Sequence, residues 1–216
     1  LSLMKFERER IDNELKKKGY YNFNPDFLIF EADTNRYDNR KFDLFLRLKS
    51  QVPERSIIPY EIDSITVYPN YTLGDSVEVT SPKMVNGLTF VQNEEYFKPE
   101  QLEPYILFEE GQPYNAYTAQ LTSNRLSNIG SYKFVNIQFT EIDTTANKDG
   151  AGSLHSEIFL SPLTKRSIRA ELQAVTKSNG FAGPGISVAY SNRNLFKGGE
   201  TLSIIGNFQY IRSRFR

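Results

Sequence analysis

The chain uses one run of structural elements twice, and this repeat limits the folds that are open to it. In each copy a helix-forming segment ends at a glycine, Gly19 or Gly130. An aromatic-rich stretch then leads into a strand, a polar loop and a second strand. The two copies lie far apart and share few identical residues, so the repeat is carried by the order of elements. It predicts a small α+β module used twice, the first copy without its leading half.

The first copy lies at the beginning of the chain. Helix formers fill residues 3–18, and apolar residues fall on one face at spacings of seven and four. Residues 26–33 are nearly continuous apolar sequence, whereas residues 41–49 alternate between apolar and mostly charged side chains. We therefore predict a helix and a two-stranded hairpin, followed by a proline-containing linker at 52–59. The alternating apolar residues are Phe42, Leu44, Leu46 and Leu48.

The second copy is longer than the first. A strand is predicted at 61–68, followed by a decorated insertion at 69–97 and a short helix at 99–109. Asn115 is suited to cap a further helix that ends at Gly130. The predicted buried side of that helix carries Tyr117, Leu121, Leu126 and Ile129. A second hairpin follows, whose strands alternate apolar residues at Val135, Ile137 and Phe139 and then at Leu154, Ile158 and Leu160.

The end of the chain changes character. Segments 166–177, 186–190 and 202–210 are apolar on one face and small or polar on the other. Glycine-containing turns at 180–185 and 198–199 separate them. Strands of about ten residues with this alternation are typical of transmembrane β-barrels. A soluble antiparallel meander has the same pattern, so both interpretations stay open at this point.

Composition argues against most kinds of chemical site. The 26 basic and 26 acidic residues balance, so the charge does not favour a nucleic-acid partner. The absence of cysteine excludes disulfides and thiolate sites, and the single histidine, His155, excludes a two-histidine metal site. No apolar run is long enough for a transmembrane helix. We expect neither an enzyme nor a bound metal or cofactor.

Two loops have some features of a ligand site. Glu141, Asp143 and Asp149 flank a polar loop, but they lack the regular ligand spacing of a calcium loop, and we predict a solvated hairpin loop. The glycine-rich run at 180–185 opens a strand rather than a helix, which does not suit a phosphate cradle.

Five stretches carry a resemblance to a known family. They are Gly-Gln-Pro-Tyr at 111–114, the helix end at 124–130, the strand at 132–139, the strand end at 157–163 and the polar turn at 191–200. Together they resemble the last polypeptide-transport-associated (POTRA) domain of the BamA/TamA superfamily and its run into the surface-antigen barrel. The similarity is to the Bacteroidetes members, including their TamA-like lipoproteins.

The resemblance implies an α+β fold of POTRA β-α-α-β-β modules, followed by antiparallel strands from the start of a truncated outer-membrane β-barrel. Residues 1–53 would be the C-terminal half of one POTRA domain, and 56–163 a complete one. Residues 164–216 would be the first barrel strands. The insertion at 69–97 departs from the compact POTRA pattern, so BamA and TamA-like members both remain open.

The resemblance also implies a function and a place. POTRA domains of this family hang in the periplasm and receive unfolded outer-membrane proteins, which the barrel inserts into the outer membrane. The expected partners are therefore unfolded outer-membrane proteins, accessory assembly proteins and, through the barrel, the outer membrane itself. This region is expected to lie mostly in the periplasm.

An open sheet edge is the predicted client-binding site. An edge strand presents unpaired backbone groups, and an extended segment of almost any sequence can pair with them. The family uses the first strand of the hairpin in this way. The alternative is an edge that Lys133 and neighbouring charges merely protect from pairing. The predicted client-strand residues are Phe27, Ile29, Lys133, Val135, Ile137 and Phe139.

A polar cluster near the end of the chain is the second candidate site. Asn192, Arg193 and Asn194 precede the turn at 198–199. One interpretation is an anchor at the joint between the barrel and the POTRA domain. The other is a hairpin end that satisfies its own turn.

Two other functions remain open as alternatives. A secreted glycan-binding or glycan-degrading module would place exposed tyrosines or paired carboxylates in a cleft, although the absence of tryptophan argues against sugar stacking. A two-partner secretion or envelope-translocation pore with one dedicated client is the alternative within the family that the chain resembles.

Overall fold

The computed structural model describes residues 2–34, 41–72, 82–143, 150–176, 181–210 and 212–213. The helices are α1 (Ser2–Lys16), α2 (Pro99–Leu102) and α3 (Ala116–Ser127). The strands are β1 (Leu28–Asp33), β2 (Asp43–Leu48), β3 (Tyr60–Tyr68), β4 (Lys83–Val85), β5 (Leu88–Phe90), β6 (Tyr132–Asp143), β7 (Gly152–Pro162), β8 (Arg166–Thr176), β9 (Phe181–Arg193), β10 (Thr201–Gln209) and β11 (Arg212–Ser213).

The first block contains α1 and the antiparallel pair β1–β2, as predicted. Gly19 follows α1 with φ of +102°, a conformation that glycine adopts without strain. Asn24 caps a 3₁₀ turn at Pro25–Phe27, so β1 begins only at Leu28. The prediction of a strand that includes Phe27 is therefore wrong, because Phe27 belongs to the 3₁₀ turn that precedes β1. The apolar row of β2 is exposed in the described part of the chain.

The second block is a five-stranded sheet in the order β4-β5-β3-β7-β6. β3 pairs in parallel with β7, from Tyr60 opposite Gly152 to Tyr68 opposite Phe159. The described elements between these partners are β4, β5, α2, α3 and β6, and a parallel pair requires such a crossover connection. Within the predicted insertion, β4 and β5 extend the sheet beyond β3.

The core of this block lies between the sheet and the helices. Ile62, Val67, Leu126, Ile158 and Leu160 are almost completely buried in one cluster. In β7 the buried residues are at alternate positions, as expected for a strand with one face covered, and in β3 the same alternation is interrupted by a bulge between Ile62 and Ser64.

The buried side of α3 differs from the prediction. Thr122 and Leu126 are buried, and the Thr122 hydroxyl accepts a hydrogen bond from the Leu107 N–H at 3.0 Å. Tyr117 is 57% exposed. It lies nine positions before Leu126, which at 100° per residue places it on the opposite side of the helix, at about 180°. Placing Tyr117 in the core was therefore wrong, and Leu121 is only half-buried.

The predicted helix at 99–109 is also shorter than expected. It consists of α2 and a 3₁₀ turn at Glu103–Tyr105. Pro104 lies within that turn and has no N–H to donate, so the α-helical hydrogen-bond pattern stops there.

The end of the chain forms a separate antiparallel sheet in which β9 pairs with β8, β10 and β11. Its predicted alternation is confirmed by the register, which places Ile168, Tyr190 and Ile204 in one cross-strand row. Ser167, Ser191 and Ser203 form a row on the other face. None of the helices in the described part of the chain is long and apolar enough to cross a membrane.

Candidate functional site

The open side of β6 forms a groove with α3. β6 ends the five-stranded sheet, and no strand in the described ranges pairs with its outer side. The groove has a volume of about 720 Å³. It is lined by Tyr21, Tyr114, Ala116, Ala119, Gln120, Ser123 and the residues of β6 from Val135 to Thr140.

The hydrogen bonds of β7 show which way its backbone groups point. The Gly152 N–H donates to the Pro59 carbonyl at 2.9 Å, and the Leu160 carbonyl accepts from the Tyr71 N–H at 3.0 Å. Both partners lie on the β3 side. Because backbone groups alternate in direction along a strand, the even-numbered residues of β7 face β3 and the odd-numbered ones face β6.

The register then identifies the open groups of β6. Val135, Ile137 and Phe139 stand opposite Leu160, Ile158 and Ser156, which are even-numbered. In an antiparallel pair, opposed residues either bond to each other or both turn away. The N–H and C=O groups of Val135, Ile137 and Phe139 therefore point into the groove.

A contact on the groove side agrees with this assignment. The Tyr21 hydroxyl donates a hydrogen bond to the Phe139 carbonyl at 3.1 Å. The side chains of Val135, Ile137 and Phe139 are half-buried and pack against the core. The predicted residues Val135, Ile137 and Phe139 thus form one continuous row.

Lys133 does not belong to that row. The register passes from Tyr132 opposite Pro162 to Phe134 opposite Ser161, so Lys133 lies in a β-bulge with no opposed residue. Its ammonium group is 5.1 Å from the centre of the Phe134 ring. Bulges interrupt the regular ladder, and the row of open groups begins only after it.

The first block differs from the prediction. The Phe27 carbonyl accepts from the Lys49 N–H at 2.9 Å, so it faces the β2 side. By alternation Ile29 also faces β2, and the Leu28 carbonyl, which accepts from Arg8 at 3.3 Å, faces away. The outward groups of β1 are therefore not those of Phe27 and Ile29, and the prediction chose the wrong residues here.

Tyr21 is the groove residue that sequence reasoning missed. Its ring meets that of Tyr114 edge-on at 5.0 Å, and burial, followed by the charge of Glu141, raises its pKa. The hydroxyl donates its hydrogen bond to the carbonyl of Phe139. These two residues are 118 positions apart, and no local pattern in the sequence indicates such a contact.

Neighbouring contacts fasten the first block at the same place. The Asn22 amide donates to the Glu141 carboxylate and to the Tyr60 hydroxyl, each at 2.9 Å. The Glu141 side chain is thus engaged by the first block. Asp149, the other end of the possible calcium loop, lies outside the described residues. Within the described ranges no three metal-ligating side chains come together.

His155 has a simple environment. Its Nδ1 is 2.7 Å from the Ser64 hydroxyl, across the β3–β7 pair. This hydrogen bond satisfies one ring nitrogen, and the ring is half-buried.

The polar cluster lies where the terminal sheet meets the second block. Asn194 is 1% exposed and has φ of +57°. Its amide donates to the Tyr96 carbonyl, while its oxygen accepts from the Gly199 N–H at 3.0 Å. The Asn194 side chain thus joins the terminal sheet to the second block and also closes its own turn. The bond to Gly199 agrees with the turn interpretation, and an anchor at a joint between barrel and POTRA domain stays a prediction.

The other two members of the cluster play smaller parts. Arg193 donates to the Thr164 carbonyl at 3.2 Å and lies at 3.4 Å from the Ser167 hydroxyl, and both contacts are exposed. Asn192 is buried, at 5% exposure.

The turn between β9 and β10 is seated on the second block. A Cβ atom at Gly199 would lie 2.7 Å from Ile129 and 3.3 Å from the Phe97 ring. The Lys98 N–H donates to the Lys197 carbonyl at 2.9 Å. Only glycine allows this close approach at φ of +91°.

No protein-family model matches the sequence. No curated protein matches it by sequence either. By structure the chain is similar to the crystal structure of BamA from Haemophilus ducreyi lacking POTRA domains 1-3, with a TM-score of 0.58 at 13% identity, covering 97% of this chain and 31% of that one. CdiB from Acinetobacter baumannii aligns with a TM-score of 0.43 at 13% identity, over 90% of this chain and 27% of that one, a score too low to support an argument. The chain spans under a third of the length of these structures, and the likeness to BamA concerns the fold alone.

Proposed function

We propose that the chain is the periplasmic POTRA region of an outer-membrane protein assembly factor, with the first strands of its barrel. In this proposal the open edge of β6 binds unfolded outer-membrane proteins by strand addition and passes them to the barrel. The observation that supports it best is the row of outward backbone groups at Val135, Ile137 and Phe139, facing a groove under α3.

The fold supports the same proposal. It is similar to that of a BamA fragment over nearly the whole chain. In the proposed division, 1–53 and 56–163 belong to POTRA domains and 164–216 to the barrel, with no enzymatic activity and no cofactor. The apolar face of the terminal sheet would then meet lipid and its serine-rich face the lumen.

Strand addition suits β6 better than β4 or β1. β4 is three residues long, too short for an extended ladder. At β1 the Leu28 carbonyl is already bonded to Arg8. β6 offers outward groups along a longer stretch, beside small side chains at Ala116, Ala119 and Ser123.

The expected binding is weak and tolerant of sequence. Each backbone hydrogen bond contributes about 0.5–1.5 kcal/mol net, and association itself opposes binding by several kcal/mol. A handful of such bonds gives transient complexes, which suits a protein that must release its clients. Among the described residues lining the groove there is no carboxylate, so the groove does not favour the glycan-degrading alternative.

Proline scanning along β6 tests the proposal. Ile137→Pro removes a donor that points into the groove, whereas Asn136→Pro removes one from the ladder to Phe159. With a ten-residue peptide of alternating apolar and polar residues, measured by fluorescence anisotropy, Ile137→Pro is expected to weaken binding at least about fivefold. Its circular dichroism and thermal midpoint should stay close to those of Ile137→Ala, which loses the same side chain but keeps the donor.

The controls separate backbone from side-chain effects. Asn136→Pro is expected to destabilise the domain, because it breaks the β6–β7 ladder. Lys133→Ala is expected to bind as the unaltered chain does. Unchanged binding by Ile137→Pro, or complete loss through Lys133→Ala alone, would contradict strand addition at this edge.

We also propose that Asn194 anchors the terminal sheet to the second block. The proposal is supported by its burial and its bond to the Tyr96 carbonyl. An anchor here would keep the β6 groove at a constant position relative to the barrel strands.

A further inference from the structure

The groove along β6 is closed at one end by a residue of the first block. The outward row continues by alternation to Glu141, which stands opposite the even-numbered Leu154. Before that point the Tyr21 hydroxyl occupies the Phe139 carbonyl. We propose that Tyr21 ends the strand that β6 accepts and thereby sets its length and register. This inference rests on the proposed strand addition.

The other end of the row has its own limit. The bulge at Lys133 interrupts the ladder before Phe134. Between the two limits the open groups are the N–H and C=O of Val135 and of Ile137, and the N–H of Phe139. An added strand can pair along about five residues, at about 3.3 Å each.

Packing holds Tyr21 in its position. Its ring is edge-on to Tyr114 at 5.0 Å and to Tyr60 at 6.1 Å. The next residue, Asn22, is bonded to Tyr60 and to Glu141. An incoming strand that continued past Phe139 would therefore have to displace the aromatic ring as well as its hydrogen bond.

The accepted segment is a short one with alternating side chains. Every second residue of an added strand faces the same side as Val135 and Ile137, where α3 presents Ala116, Ala119 and Ser123. These small side chains leave room for large apolar ones from the bound segment.

The test uses two peptides and residue-resolved hydrogen exchange. The probes are a five-residue and a nine-residue peptide of alternating valine and threonine. In the unaltered chain both should protect the amides of Val135, Ile137 and Phe139 and leave that of Glu141 unchanged. The nine-residue peptide should bind within about twofold of the shorter one, since its extra residues find no open groups.

Two variants of Tyr21 are then compared. Tyr21→Ala should extend protection to Glu141 and tighten binding of the nine-residue peptide about fivefold, with the five-residue peptide unchanged. Tyr21→Phe keeps the ring and its packing but frees the Phe139 carbonyl. It should strengthen binding of the nine-residue peptide about threefold. If the alanine variant does not fold, the phenylalanine variant still tests whether Tyr21 limits the length of the bound strand.

The control is Asn22→Ala, which breaks the bonds to Glu141 and Tyr60 but leaves the Tyr21 ring. It should keep the unaltered footprint. The inference is overturned if Asn22→Ala extends the footprint as far as Tyr21→Ala does, or if both Tyr21 variants bind the longer peptide as the unaltered chain does. Absence of protection at Val135 and Ile137 in the unaltered chain would instead refute the proposed function.

Discussion

The β6–β7 hairpin and the terminal sheet have the same alternating sequence pattern but different surroundings. In β7, Ile158 and Leu160 are completely buried. In β8, Ile168 and Leu172 are 76% and 85% exposed. The core of the second block covers the apolar face of β7. No described residues cover the apolar face of β8. Alternation therefore predicts a strand with one apolar face but does not predict what covers that face, protein or lipid.

The largest expected effect on stability distinguishes the five-stranded sheet from the terminal sheet. Ile158→Ala removes buried methyl groups from the core and should lower the free energy of unfolding by about 2–5 kcal/mol. Ile168→Ala makes the same chemical change on an exposed face and should change it by less than about 0.5 kcal/mol. Urea denaturation in aqueous buffer measures both. Equal losses would mean that the terminal sheet has a covered face in solution.

Alkaline pH should weaken the second block through its buried tyrosines. Burial raises the pKa of Tyr114 to about 12, with smaller contributions from Tyr21 and Asp12. The folded state thus keeps a proton that the unfolded state loses near pH 10, so this stability is present below pH 10 and is lost as the pH rises towards 12.

For Tyr114 alone the loss amounts to about 2–3 kcal/mol. Urea midpoints between pH 8 and 12 measure it. Tyr114→Phe, which cannot ionise, should show a shallower decline with pH than the unaltered chain. A decline of the same steepness would assign the effect to other groups.

The last comparison concerns the joint between the two regions. Asn194→Gly allows the positive φ but removes the bonds to Tyr96 and Gly199, and should lower stability by about 1–3 kcal/mol. Asn194→Ala should lower it further, because alanine is strained at φ of +57°. Arg193→Ala, whose contacts are exposed, should change it by less than about 0.5 kcal/mol. The urea midpoints of the three variants rank their losses of stability. A loss from Arg193→Ala as large as that from Asn194→Gly would argue against an Asn194 anchor.

Much of the fold was predictable because its signals are local. The Asn115 cap accepts hydrogen bonds from the N–H groups of Tyr117 and Thr118, only two and three residues away. The alternation of Val135, Ile137 and Phe139 is likewise a property of neighbouring positions.

The sequence by itself thus predicted most of the elements and their order, and it indicated two candidate sites. Tertiary structure alone decided that Lys133 lies in a bulge, and that Phe27 and Ile29 turn their backbone groups towards β2. It also decided that Tyr21 closes the groove at Phe139. The physical reason is that strand register and contacts over more than a hundred residues depend on the packing of whole elements, whereas caps and alternation depend on adjacent residues.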